Sequence, residues 1–145
     1  MTLTLQQQQL VETFAHLRDS QDRLSWLLDQ ARKRPLLPLA LRTEANRVEG
    51  CMARLWLVAE FRDGRCYYQS ESDSLIVKAV AGLMCEYYSG HTPAEILNHP
   101  PDFLVKLGIT QHLAPNRRNG LARVWDRIRL FAESHASPTS AAPRE

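Results

Sequence analysis

The feature that most constrains the fold is a period-two stretch followed by a tight-turn signal. Along residues 54–62 apolar side chains alternate between the two faces of an extended segment. Asp63-Gly64 follows, a dipeptide typical of two-residue hairpin turns, and RCYYQSES (65–72) supplies the returning strand. Because a lone hairpin is only marginally stable, we expect a third strand, formed by residues 46–50.

Helical patterns flank this hairpin on both sides. The segment 74–90 is apolar on most of its surface, so it is predicted as a buried helix lying across the sheet. Thr92-Pro93-Ala94-Glu95 combines an N-cap, a proline at the first helical position and a capping box. The other helices are predicted at 4–18, from Asp19 or Ser20 to about 34, briefly at 102–107, and from Asn116 or Asn119 to Ser134, where the buried stripe comprises Leu121, Val124, Trp125, Ile128 and Phe131. The fold class is therefore α+β: a small three-stranded antiparallel sheet packed against several helices.

Length and composition indicate one domain. The chain has 145 residues, of which we assign 1–134 to a single domain and 135–145 to a disordered tail. PLLPLAL (35–41) holds two prolines, so it is expected to be a stiff connector or broken helical turn packed on the body of the domain.

The charge and cysteine content narrow the class of protein. A formal net charge of +2 is too small to argue for nucleic acid or an anionic membrane. No apolar run approaches the roughly 20 residues of a membrane span, and the N-terminus has no secretory pattern. Three widely spaced cysteines do not form a disulfide framework. We expect a cytoplasmic protein with free thiols and no membrane or nucleic-acid partner.

Cys51 is the candidate reactive residue of this sequence. It lies in a predicted connection after Gly50, a residue that permits unusual backbone conformations and leaves room for the approach of another molecule. Cys66 and Cys85 are instead expected to be small sheet or core residues. The cysteine spacings match no metal motif, and no phosphate-binding loop occurs. Cys51 is thus either a functional thiol or a buried structural cysteine; Arg47, Arg54 and the basic segment near 117 are candidate positive neighbours.

The last predicted helix is basic. Its arginines could form a phosphate or RNA surface, but Asp126 and Glu133 interrupt the run, which favours an ordinary solvated face. These arginines are Arg117, Arg118, Arg123, Arg127 and Arg129.

Four sequence blocks in order resemble the SufE/CsdE family of sulfur-acceptor proteins. They are NRVEGCMARLWL (46–57), SDSLIVKAVAGLM (72–84), YSGHTPAEIL (88–97) and LGITQHLAPNRRNGLARVWDRIR (107–129). The first resembles the family pattern V-x-G-C-x-S-x-V-W-L, and the resemblance extends over roughly residues 15–134. It implies the fold shared with IscU-type scaffolds, without their cluster ligands.

The resemblance also implies a function. Such proteins are not self-sufficient enzymes: they accept sulfur from the persulfide of a PLP-dependent cysteine desulfurase of the SufS or CsdA type, stimulate that enzyme, and pass sulfur to a SufBCD-type or other acceptor. Cys51 matches the acceptor cysteine, with Gly50, Asp73 and Arg117 as supporting positions. No metal or bound cofactor is implied for the chain itself, which is expected to be a monomer or weak dimer.

Two positions depart from the family pattern, and other functions stay open. The family pattern usually has a polar residue and a serine where this chain has Met52 and Ala53. The sequence therefore does not identify the desulfurase that the protein serves, nor does it distinguish a SufE role from a CsdE role. A cysteine hydrolase pairing Cys51 with His112 is one alternative, although His112 is favoured as a helix-end or packing residue. An IscU-like cluster scaffold using two or three cysteines is another.

Overall fold

The structure is a computed structural model that describes residues 1–136, with only the backbone of His112. Within this range it contains six α-helices and one two-stranded antiparallel sheet, together with three short 3-10 turns. The helices are α1 (Leu3–Ala15), α2 (Ser20–Lys33), α3 (Leu75–Tyr88), α4 (Pro93–Leu97), α5 (Phe103–Lys106) and α6 (Pro115–His135); the strands are β1 (Leu55–Arg62) and β2 (Arg65–Ser72). The α+β class is confirmed.

The hairpin forms as its sequence predicts. Asp63 and Gly64 both have positive φ, at 52° and 78°, which is the backbone of a type I′ turn whose twist matches the flanking strands. Its register pairs Arg62 with Arg65 and Leu55 with Ser72.

The predicted third strand is wrong. Within the described residues, segment 46–50 contributes only an isolated bridge between Arg47 and Trp56 and one hydrogen bond, from Val48 N to Leu55 O at 2.8 Å. A 3-10 turn, Glu44–Asn46, ends just before this bridge, and Gly50 turns the chain just after it. Too few extended residues remain between the two turns to make a strand.

Side-chain caps fix most helix starts. Asp19 caps α2, Ser74 caps α3, and Thr92 with Glu95 forms the predicted capping box of α4. Helix α6 starts at Pro115, one residue before the earlier of its predicted starts, because proline is well suited to the first helical turn.

The core lies around α3, which packs against β2, α2 and α6. The 35–41 connector does pack on the body as predicted, since Leu37 is buried, and it ends in the 3-10 turn Leu39–Leu41. In α6 the predicted stripe faces this core, with Trp125 and Phe131 only partly buried. Among residues 1–136, no helix combines the length and apolar character that a bilayer crossing requires. The predicted tail falls almost wholly outside the described residues.

Candidate functional site: the Cys51 loop

The loop between Val48 and Leu55 carries Cys51 and is closed at its base by backbone hydrogen bonds. Besides the bond from Val48 N to Leu55 O, the amide of Asp73 donates to Arg54 O at 3.2 Å. The loop therefore projects from the end of the hairpin, beside the turn that leads from β2 into α3. Because these backbone bonds lie at its base, the tip of the loop has no sheet hydrogen bonds among the described residues.

Asp73 is an anchor of this loop. Its carboxylate accepts from the Arg54 amide at 3.0 Å and from Arg54 Nε at 3.1 Å, so one side chain holds both the backbone and the guanidinium. The hydrogen bond from the Arg54 side chain lowers the pKa of the Asp73 carboxyl. The neighbouring Ser72 hydroxyl donates to Arg54 O at 2.7 Å, which makes four hydrogen bonds between Arg54 and residues 72–73.

The tip of the loop rests on α6 at a glycine. Cys51 is partly buried, and a β-carbon placed on Gly120 would lie 2.7 Å from its Sγ atom. The thiol therefore packs directly on the backbone of α6, in space that any side chain at position 120 would fill. A glycine inside a helix costs about 0.5–1 kcal/mol relative to alanine, so this close contact is the physical reason for its presence.

Two features require glycine at position 50: a positive φ angle and the close approach of an arginine side chain. Its φ of +81° lies in the left-handed region that favours glycine, and a β-carbon there would lie 2.8 Å from Arg123 Nε. Arg123 thus lies over the chain beside Cys51. From the same helix, Arg127 donates to Arg47 O at 2.8 Å and holds the chain that enters the loop.

The predicted site residues lie close together. Asp73 and Arg117 line one shallow cavity of about 440 Å³ with Met52, Ala53 and Asn116. The Asn116 side-chain amide lies 3.3 Å from Met52 Sδ, while Met52 itself is 79% exposed. The structure thus gathers Gly50, Cys51, Asp73 and Arg117 around one loop. For His112 it gives only a backbone at the end of a 3-10 turn, so a pairing with Cys51 lies outside the described residues.

The other two cysteines have a different environment. Cys66 and Cys85 are buried in the core, as predicted. Burial raises the pKa of the Cys66 thiol, and it raises the pKa of the Cys85 thiol to about 12. Neither thiol is therefore a nucleophile near neutral pH. In the described part of the chain, no group of three or more His, Cys, Asp or Glu side chains is placed to hold a metal ion.

Sequence reasoning missed three residues of this site, all on α6: Gly120, Arg123 as the cover of Gly50, and Arg127 as the support of Arg47. One signal was available, because an isolated glycine within a helical pattern usually has a packing reason. The basic face is also largely engaged within the protein: Arg123 and Arg129 lie 3.5 Å and 3.6 Å from Asp126, and Arg129 also binds Glu133 at 2.9 Å.

Comparison with known proteins decides the family. The SufE family, described as an Fe–S metabolism associated domain, matches residues 8–132. The chain belongs to the SufE family. This membership implies a role in iron–sulfur metabolism and sulfur transfer, and interaction with a cysteine desulfurase.

Relatives of this SufE-family chain occur in bacteria and in a plant. A SufE-like protein of Synechocystis sp. is 32% identical over 123 residues, which cover 85% of this chain and 77% of that protein. One from Rhizobium meliloti is 31% identical over 130 residues, covering 86% and 93%. SufE-like protein 1, chloroplastic/mitochondrial, of Arabidopsis thaliana is 35% identical over 115 residues, but these cover 79% of this chain and only 31% of that longer protein.

A solved structure shares the fold. The solution structure of a hypothetical protein from Thermus thermophilus superposes with a TM-score of 0.73 at 27% sequence identity. The match covers 89% of this chain and 94% of the other. The arrangement of the hairpin and its covering helices is thus shared along nearly the whole length of both.

Proposed function

We propose that this SufE-family protein is a sulfur carrier whose acceptor is Cys51. The observation that supports it best is the contrast among its thiols: of three cysteines, only Cys51 reaches the surface, and it does so in a loop outside every helix and strand. A sulfur carrier needs one accessible thiol and a partner that delivers sulfur.

The transfer is a thiol exchange on a persulfide. The Cys51 thiolate attacks the outer sulfur of the persulfide on a PLP-dependent cysteine desulfurase. A new S–S bond forms at Cys51, the S–S bond on the desulfurase breaks, and its cysteine leaves as a thiolate. The sum of oxidation states is unchanged, so the step requires no added oxidant, metal or cofactor on this chain.

Two consequences belong to the same proposal. Removing sulfur from the desulfurase frees its cysteine for another cycle, so the carrier stimulates that enzyme. The Cys51 persulfide then passes its outer sulfur to an iron–sulfur assembly scaffold of the SufBCD type or to another acceptor thiol. In this scheme Gly50, Asp73 and Arg117 support the loop and do not exchange sulfur.

Intact-mass spectrometry in the presence of a SufS- or CsdA-type desulfurase and free cysteine tests this proposal. Wild type and the buried-site control Cys85→Ala should each gain about 32 Da per sulfur, whereas Cys51→Ser should gain none. Alanine release by the desulfurase should rise with wild type and stay basal with Cys51→Ser. A mass gain on Cys51→Ser equal to that of wild type would contradict the assignment.

A further inference from the structure

A second cavity lies away from the Cys51 loop and shares no lining residue with it. It is bounded by the end of α2, the chain that follows it, β2 and α3, and its volume is about 250 Å³. The polar side chains in its wall are Arg34, Gln69, Ser70, Lys78, Glu86 and Ser89. The cavity is large enough for a small organic or inorganic ion, since one water in the liquid occupies about 30 Å³.

Arg34 has an unusual position in this wall. Its side chain is only 17% exposed and lies over Gly82, where a β-carbon would be 3.0 Å from Arg34 Nη1. Arg34 Nη2 donates to Glu86 Oε1 at 3.2 Å. The glycine in α3 therefore provides the space in which the guanidinium is held.

Two nitrogens of this guanidinium lack acceptors. Arg34 Nε and Nη1 are buried and have no hydrogen-bond partner among residues 1–136. A buried donor left unpaired destabilises the folded state, and more so when it is charged. The two unpaired nitrogens belong to a side chain that lines the cavity, so a ligand bound there could supply the acceptor that the protein lacks.

The charges around the cavity favour a negative ligand. Lys78 Nζ lies 3.0 Å from Glu71 Oε1, and Arg42 lies 3.6 Å from the other oxygen of that buried carboxylate. Of these groups Lys78 lines the cavity together with Arg34 and Glu86, which gives its wall a formal excess of one positive charge, while Glu71 and Arg42 lie outside the wall and offset each other. Glu86 faces the cavity but its side chain is 64% exposed, so its carboxylate can move into solvent.

We propose that this cavity binds a small oxyanion, a carboxylate or a phosphate. The oxyanion would replace Glu86 as the acceptor of Arg34, whose guanidinium turns toward it, with Lys78 supplying a second positive charge and Ser70 a hydroxyl that has no partner among residues 1–136. Guanidinium donors match the geometry of carboxylate and phosphate oxygens, and a partly closed site strengthens such bonds. This site does not depend on sulfur transfer at Cys51.

Thermal unfolding with added anions tests the proposal. Sodium phosphate and sodium acetate are titrated at constant ionic strength, with chloride as the blank. Wild type and the control Lys33→Gln, an exposed cation beside Arg34, should show a saturable rise in Tm of the kind that ligand binding produces. Arg34→Gln should lose it. A response to phosphate or to acetate identifies which oxyanion binds.

No saturable rise with either anion, or the same rise in Arg34→Gln, would overturn the proposal. If Arg34→Gln does not fold, amide chemical shifts of the wild-type protein decide the question during the same titrations. Shifts at Ser70, Gly82 and Glu86 are expected. Shifts confined to the start of α6, around Arg117 and Arg118, would place the anion on the basic surface instead and overturn it.

Discussion

The Cys51 loop and the core around α3 both contain cysteine, yet they impose opposite chemistry on it. Cys85 is buried, and burial raises the pKa of its thiol and keeps it protonated. Cys51 lies in a loop whose backbone hydrogen bonds are at its base, and its thiol packs against a glycine of α6. Whether a cysteine can act as a nucleophile thus depends on its surroundings. The core around α3 stabilises the fold, whereas the Cys51 loop presents an accessible thiol. Substitutions in the core should therefore change the stability of the fold, and substitutions at the loop should change the thiol and its anchors with little effect on Tm.

The largest loss of stability should come from the core. Tyr88→Ala removes a fully buried ring and the hydrogen bond from its hydroxyl to His99 O at 2.6 Å. The free energy of unfolding, measured by urea denaturation, should fall by about 3–5 kcal/mol. Tyr67→Ala, at a partly exposed position in β2, should cost much less. Equal losses for the two variants would mean that the core is not where stability resides.

The next effect should be on the reactivity of Cys51. In Gly120→Ala the new methyl would overlap Sγ, so the loop must lift from α6, while alanine favours the helix itself. Alkylation of Cys51 by iodoacetamide, followed by peptide mass spectrometry, should become severalfold faster with little change in Tm. Asn119→Ala, at an exposed neighbouring position, is the control. An unchanged rate in Gly120→Ala would show that the glycine contact does not hold the thiol.

A smaller effect on stability should come from His91 and should depend on pH. Burial lowers the pKa of His91, whose Nε2 lies 2.7 Å from Gln6 Oε1 of α1; Glu95 opposes this shift, and Arg65 adds to it. The unfolded chain, with a histidine pKa near 6.5, therefore binds more protons than the folded one below that pH. Stability present above pH 6.5 is lost as pH falls below it.

Thermal unfolding between pH 7.5 and 5 checks this sign. In His91→Gln the fall in Tm should be shallower than in wild type, whereas His16→Gln, at an exposed position just after α1, should follow wild type. An unchanged slope in His91→Gln would remove His91 as a source of the acid sensitivity.

The smallest expected effect is a local one, on hydrogen exchange at the base of the Cys51 loop. Asp73→Asn keeps an acceptor for the Arg54 amide but removes the ion pair at 3.1 Å. Because this pair is exposed, Tm should hardly change. Because a neutral amide oxygen is a weaker acceptor than a carboxylate, hydrogen exchange at the Arg54 amide should become faster. Asp29→Asn, which breaks another exposed pair, should leave that amide unaffected. Slower or unchanged exchange in Asp73→Asn would contradict the role of Asp73 as an anchor.

Local sequence signals predicted most of the fold. The alternation before Asp63-Gly64 and the capping box at Thr92 are encoded within a few residues, so the hairpin and α4 follow from them. The third strand failed because alternation and turn signals do not report how few extended residues remain between two turns. The buried Glu71, paired with Lys78 at 3.0 Å, was also unforeseen, because pairing of a strand residue with a helix residue is a tertiary property.

The candidate site was predictable only in part. The position of Cys51 after Gly50 marked it from the residues alone, whereas Asp73 and Arg117 came from the family resemblance. That these lie around one loop depends on how α6 crosses the hairpin, which no local pattern specifies. The contact of the thiol with Gly120 joins residues far apart in the chain and could be found only in the fold.

The most direct test of Cys51 as the sulfur acceptor is a single-turnover transfer. A desulfurase charged with persulfide and freed of cysteine is mixed with the wild-type protein; the thiols are then alkylated and the peptides mapped by mass. The added sulfur, about 32 Da, should lie on the peptide that contains Cys51, with Cys66 and Cys85 unmodified. Sulfur on either buried cysteine, or none on Cys51 with an active cognate desulfurase, would contradict the account.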